Sequence, residues 1–208
     1  MLKLKSPNIE ELIGNKFEKT DARQIFKGKA RLKDQINLRK YLQQNYNQLT
    51  WKQRINIIEN IIEAVSRLHH ENSIHRDLHS GNILYSEYNG TWYISDFGFC
   101  GPADKPLESI YGNLPYIAPE VINGKGYTFA SDIYSIGMLM WEISSGRPPF
   151  AHFDHDYDLA INLIKGMRPQ IVQETPTEYK NLMADVSNPI ATNAQINNIK
   201  LNLSNKQG

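Results

Sequence analysis

Three residues of this chain carry side-chain oxygens at a spacing that could do chemistry together: Asp77, Asn82 and Asp96. Asn82 stands just before a β-prone run, Ile83-Leu84-Tyr85. Asp96 stands two residues after Ile94, the end of a second run, Trp92-Tyr93-Ile94, and Asn89-Gly90 lies between the runs. Antiparallel strands joined by a short turn bring their outer ends together, so Asn82 and Asp96 are expected to be neighbours. A carboxylate and an amide oxygen side by side are hard ligands of the kind Mg²⁺ takes while keeping waters and binding substrate phosphates. Asp77 lies five residues before Asn82 on the same approach. It adds a group that could accept a hydroxyl proton or orient a nucleophile. Any one of these residues alone reads as loop chemistry; their conjunction is what points to a site.

Helices must hold that loop and hairpin in place. Thr50 and Gln53 have the spacing of a capping box, which predicts a helix start. Behind it, Ile55, Ile58, Ile62 and Val65 recur at helical spacing beside Ile61 and Leu68, with Asn56, Glu59, Asn60, Glu63 and Arg67 expected outside. Leu38 to Leu42 reads as a shorter helix. Asn89-Gly90 predicts a hairpin turn of two residues or more, since both types tolerate positive φ. Ile133 to Ile143 is apolar almost all round, the pattern of a helix buried on every side, and Gly146 with Pro148-Pro149 stops it. A helix is expected over Asp158–Lys165, closed by Gly166. Another is expected to open at Thr175-Pro176-Thr177-Glu178, with Thr as the cap, Pro in the first helical position and Glu in the third. Residues 1–34 are poorly patterned, and 186–208 are Asn-rich with the composition of a disordered tail. The expected fold class is mainly α with a small β-hairpin, its folded part running over 35–185.

Composition narrows the function classes. The 23 Lys and Arg nearly balance the 22 Asp and Glu, for a formal charge of +1, so nothing argues for a nucleic-acid partner. The most apolar run, Ile133 to Ile143, is about half the length needed to span a bilayer, and the first residues lack the apolar core of a secretory signal. The single cysteine, Cys100, excludes an internal disulfide and fits a reducing compartment, so a cytoplasmic location is expected. Its plain reading is a small, half-buried residue.

The resemblance lies in four motifs. His75-Arg76-Asp77-Leu78, with Asn82 beyond it, resembles the catalytic loop of protein kinases. Asp96-Phe97-Gly98 is similar to their magnesium motif, and Ala118-Pro119-Glu120 to the end of their activation segment. SDIYSIGMLMWEISSGRPPF resembles their central buried helix. The match runs from about Ile36 to Met183 in unbroken order, and the chain is identified as a member of that family, in its large, C-terminal lobe. The resemblance implies ATP and Mg²⁺ as cofactors and a protein substrate or signalling partner. It implies that Asp77 accepts or orients the substrate hydroxyl, and that Asn82 and Asp96 hold Mg²⁺ on the ATP phosphates. Arg76 would pair with a phosphate on the activation segment. Phe97 would pack inward to set Asp96, Gly98 would let the backbone swing, and Asp132 would anchor the catalytic loop from the central helix. His75 reads as a packed, loop-bracing residue.

The chain also departs from the family pattern. Neither G-x-G-x-x-G nor V-A-I-K occurs in the 208 residues, so the expectation is a large lobe truncated at both ends, with little of the small lobe. The lysines of FKGKARLK lie too close to the catalytic loop to replace that phosphate grip. His79 stands where serine/threonine kinases usually carry lysine, a second candidate for the catalytic machinery. Asn113 stands where a threonine is usual. The ending YIAPE is more like the serine/threonine group, or its tyrosine-kinase-like branch, than like true tyrosine kinases. Glu120 normally pairs with a late arginine, yet the last one here is Arg168. Ser109 and Tyr111 are the hydroxyls between Asp96 and Glu120 outside the YIAPE run, and Ser109 is either a phosphate acceptor facing Arg76 or an unmodified surface serine. AHFDHDYD could suggest a metal site, but acidic residues opening a helix explain it. Two function classes remain: an ATP-dependent protein kinase, or a kinase-like module that binds partners without catalysis.

Overall fold

The computed structural model describes residues 35–102, 110 and 112–187. It begins at a short strand, β1 (Gln35–Asn37), which leads into helix α1 (Leu38–Asn45), capped by the Asn37 side chain on Lys40 N–H at 3.0 Å. The expected Leu38–Leu42 helix is there and runs three residues further.

Helix α2 (Trp51–His70) starts as its capping box requires: Thr50 Oγ1 accepts from Gln53 N–H, and Gln53 Oε1 accepts from Thr50 N–H. Such a cap contributes about 1 kcal/mol. The buried stripe is turned from the expected one. Ile57, Ile58, Ile61, Ile62 and Val65 are buried, whereas Ile55 and Leu68 lie half out. The cause is Arg54, buried on that same stripe, where its guanidinium serves the end of another helix.

The hairpin is made by β3 (Ile83–Ser86) and β4 (Thr91–Ile94), in register Ile83↔Ile94 through Ser86↔Thr91. Its loop is four residues long, and only Gly90 takes positive φ (65°), so the expected Asn-Gly pair does not form a two-residue turn. The hairpin is not alone: β1 adds to β3 as a third antiparallel strand. A second ladder, of two residues a side, joins β2 (Ser73–Ile74) to β5 (Gly101–Pro102). Ladders this short leave no periodicity to read.

After the four-residue helix α3 (Pro119–Ile122) comes the central helix α4 (Phe129–Ser145). It opens on a second capping box, Thr128 with Ser131, and closes on Gly146 at φ 71°. Ile133, Ile136, Leu139, Met140 and Ile143 are all fully buried, as a helix apolar on every side requires. Helix α5 (Tyr157–Ile164) is capped by Asp156 on Leu159 N–H, and Gly166 follows at φ 96°. Helix α6 (Thr177–Val186) differs from its expected start. Pro176 is the cap position, the Thr175 hydroxyl caps nothing, and Glu178 falls in the first turn. Helix α6 crosses α4 so closely that a Cβ at Gly137 would lie 2.9 Å from Val186 Cγ2. The described residues are thus mostly helical with two small sheets, consistent with a kinase-like fold. None of their helices is long and apolar enough to cross a membrane.

Candidate functional site

The loop between β2 and β3 is fixed from below by one carboxylate. Asp132, in the first turn of α4, is 1% exposed. It accepts the backbone N–H of His75 on Oδ2 (2.8 Å) and that of Arg76 on Oδ1 (3.0 Å). Arg76 has φ 71°, a left-handed conformation that costs a non-glycine residue about 1 kcal/mol or more. Asp132 holds it there. His69, at the end of α2, adds Nε2 at 2.9 Å from Asp132 Oδ2. Nothing in the sequence distinguishes His69 from its neighbour His70.

His75 is fully buried. Its Nδ1 accepts Asp77 N–H at 3.3 Å and its Nε2 donates to the Ser95 carbonyl at 3.1 Å. Burial pushes its pKa down, against the pull of Asp132 and the Ser95 carbonyl, so the ring is a neutral brace. Phe97 packs its ring edge-on against it, with centroids 5.3 Å apart.

Above that brace stand the groups with chemistry. Asn82 Nδ2 donates to the Asp77 carbonyl (2.9 Å) and to Asp77 Oδ2 (3.2 Å). The amide nitrogen is committed there, which leaves Oδ1 as the atom Asn82 can offer to a cation. The Asn82 carbonyl in turn accepts both N–H (2.8 Å) and Oγ–H (3.0 Å) of Ser95, the residue before Asp96. Asp77, Asn82 and Asp96 are therefore brought together at one end of the β3–β4 hairpin. Burial pushes the Asp77 pKa up, but His79, His75 and the Asn82 amide outweigh it and hold the carboxyl below its ordinary range.

Asp96 is exposed and takes the left-handed conformation itself, φ 60°. Gly98 gives its N–H to Asp96 Oδ1 at 3.4 Å. Among the described residues no group of three or more His, Cys, Asp and Glu could hold a metal, AHFDHDYD included, where Asp156 is spent as a helix cap. An amide oxygen and an exposed carboxylate are donors that fit Mg²⁺, which keeps its waters and takes phosphate oxygens for the remainder.

The remaining site residues have partners of their own or none among the described residues. The Arg76 guanidinium reaches the carbonyls of Phe99 (3.2 Å) and Pro102 (2.8 Å), tying the loop to β5. Arg168 gives its donors to the carbonyls of Leu163, Met167 and Ser187, so it does not pair with Glu120. Glu120 Oε2 is buried with no partner among the described residues, and burial pushes its carboxyl up against the pull of its own backbone, Arg168 and Lys125. Burial, with Asp132, pushes the Cys100 thiol up to about 12, so it carries no thiolate. Ser109, Tyr111, and the lysines of residues 26–33 lie outside the described residues.

A polar cluster that sequence reasoning missed sits beside the loop. Glu142 on α4, 1% exposed, accepts from the Tyr116 hydroxyl and lies 3.5 Å from Arg39 Nε. Arg39 Nε also donates to Ser80 Oγ (3.1 Å). The only sequence signal was a carboxylate inside an apolar run.

The model of the protein kinase domain matches residues 1–195. A protein of Acanthamoeba polyphaga mimivirus, named as a serine/threonine-protein kinase/receptor, is 32% identical over 87% of the chain. A Dictyostelium discoideum protein named as a serine/threonine-protein kinase is 35% identical over 69% of it. A third such name, from Lactococcus lactis, is 30% identical over 74%. The chain spans 11%, 16% and 27% of the lengths of these three relatives.

Proposed function

The chain belongs to the protein kinase family, and on that premise we propose that it moves the terminal phosphate of ATP to serine or threonine hydroxyls of protein substrates, as part of signal transduction in the cytoplasm. The observation that carries the reading is the joint placement of Asp77, Asn82 and Asp96 at one end of a hairpin. Asp77, ionised at neutral pH, is the acceptor for the substrate hydroxyl. Its Oδ2 is held by Asn82, so the acceptor has a set direction. Asn82 Oδ1 and the Asp96 carboxylate are the groups that would hold Mg²⁺, which supplies charge neutralisation on the phosphates when bound. The YIAPE ending and the names of the relatives support the serine/threonine preference; the lone cysteine supports the compartment.

A second reading, a partner-binding module without catalysis, is favoured by one fact: the 208 residues contain no glycine-rich phosphate loop and no V-A-I-K lysine. Positioning alone can lower a barrier by roughly 7–11 kcal/mol, and most of that needs the phosphates gripped. The test is transfer from radiolabelled ATP to a protein substrate, beside an Asp77→Asn control. We expect none from the 208 residues alone, and transfer once a segment carrying the glycine-rich loop and strand lysine is joined to them, abolished by Asp77→Asn. Transfer that survives Asp77→Asn overturns the first reading. Transfer by the 208 residues that the control lacks overturns the second.

A further inference from the structure

His79 does not reach outward as a lysine there would. Its ring folds back over its own loop: Nδ1 accepts the Gly81 N–H at 3.0 Å, and Nε2 lies 3.7 Å from Asp77 Oδ1. A ring nitrogen that accepts an N–H carries no proton, which puts the ring N–H on Nε2, the atom turned to Asp77. The fold-back depends on Gly81. A Cβ there would lie 2.7 Å from His79 Cε1 and 2.8 Å from Nδ1, inside any real contact distance. On its other side the ring faces Tyr116, with centroids 6.1 Å apart. Asp77 thus has a ring or amide nitrogen beside each oxygen: Asn82 Nδ2, hydrogen-bonded to Oδ2 (3.2 Å), and His79 Nε2, 3.7 Å from Oδ1. Catalytic contacts of this kind are often long without substrate and shorten in its complex.

We propose that His79 is a positioning residue: locked over Gly81 in its Nε2–H form, it fixes the orientation of the Asp77 carboxylate, where a lysine would act as a mobile cation. The proposal rests on the reading of Asp77 as the group that meets the substrate hydroxyl, and it deepens that reading. It also explains why glycine stands two residues after histidine in HSG: with any larger residue at 81 the ring must leave.

The experiment is nuclear magnetic resonance on the 208-residue chain at one neutral pH. In the wild type we expect the His79 imidazole nitrogens to show a pyrrole-type Nε2 and a pyridine-type Nδ1, and Asp77 to hold a single χ1 rotamer. His79→Asn is the discriminating variant. Its amide oxygen replaces Nδ1 as acceptor for Gly81 N–H, so a purely structural role is preserved, but nothing reaches Asp77. We expect Asp77 to average over rotamers in His79→Asn and in Gly81→Ala, with the α4 amide signals unmoved. A protonated Nδ1 in the wild type, or an Asp77 rotamer unchanged in a folded His79→Asn, overturns the proposal. Should a variant fail to fold, the wild-type tautomer decides alone. None of these readouts needs phosphate transfer, so loss of the kinase reading and loss of this one are told apart.

Discussion

Helix α4 carries one carboxylate at each end, Asp132 in its first turn and Glu142 in its last, each 1% exposed. They are held in opposite ways. Asp132 sits where the helix dipole favours negative charge and receives two backbone N–H groups and a histidine. Glu142 sits where the dipole opposes it and is held by side chains alone, Tyr116 and Arg39. The same end of α4 draws its compensation from a cation: Arg54 donates Nη1 to the carbonyls of Ile143 (2.9 Å) and Ser144 (3.1 Å). One end therefore organises backbone, at the start of the His75–Asn82 loop. The other end joins side chains from α1 and the Leu114–Tyr116 turn, and meets that loop through the Ser80 hydroxyl.

Removing Asp132 tests the stronger end. Asp132→Ala leaves the N–H groups of His75 and Arg76 buried and unpaired, at about 1–3 kcal/mol each, and releases the strained Arg76. We expect a loss of about 4 kcal/mol in urea denaturation with an unchanged slope, a large part of the roughly 5–15 kcal/mol typical of a domain. A loss below about 1 kcal/mol would mean that water or neighbours can replace Asp132, and the contrast between the ends would fall.

That Asp132 was legible in the sequence and Glu142 was not has a physical reason. The role of Asp132 was implied by the family resemblance, and its targets, the N–H groups of His75 and Arg76, belong to a motif that carries the resemblance. Glu142 acts on Tyr116 and Arg39, whose approach is set by the path of the chain between helices. The long helices were legible because burial on a stripe or all round leaves a period. The stripe of α2 lies turned from its expected place, with Arg54, which no apolar pattern includes, buried on it. A cation on a buried stripe is itself a signal, and it points to a helix carboxyl end nearby. The ladders of β1 and of β2 with β5 are too short to leave a pattern. The hairpin brought Asn82 and Asp96 to one end, as expected, and its four-residue loop falls within the expected turn of two residues or more.

Arg54→Met sharpens the comparison at the weaker end. Methionine keeps the apolar stem but removes the donors to Ile143, Ser144, Leu49 (3.3 Å) and Tyr46 (2.9 Å), and the guanidinium 4.1 Å over the Tyr46 ring. Bonds to a charged donor are worth about 1.5–3 kcal/mol, and water can reach part of the vacated site, so a loss of about 2–3 kcal/mol is expected. The chemical shifts of Asp77 and Asn82 should stay in place, because the Arg54 hydrogen bonds go to Leu49, Tyr46, Ile143 and Ser144 and none to their loop. Movement of those signals as large as in Asp132→Ala would show the two ends acting as one.

The smallest effect is the pH dependence that Glu142 carries. Burial pushes the Glu142 carboxyl above its ordinary value of 4.5, against Tyr116, Ser80 and Arg39, which pull it down. An acid whose pKa is raised by folding binds its proton more tightly in the folded state, so its contribution to stability is full below the unfolded pKa and falls as pH rises through the folded one. Arg39 is a third exposed, and its pull is worth no more than about 1 kcal/mol. Glu142→Gln keeps an oxygen for the Tyr116 hydroxyl and removes the charge. The stability of the wild type minus that of Glu142→Gln should be level below about pH 4.5 and then decline toward neutral pH, as the wild type must bury a charge that glutamine does not have. Urea midpoints of the two proteins over that range give the difference directly, and titration of every other group cancels in the subtraction. A difference that grows with pH would mean that Arg39 and Tyr116 stabilise the charged form outright, and that Glu142 is as well held as Asp132 by side chains alone.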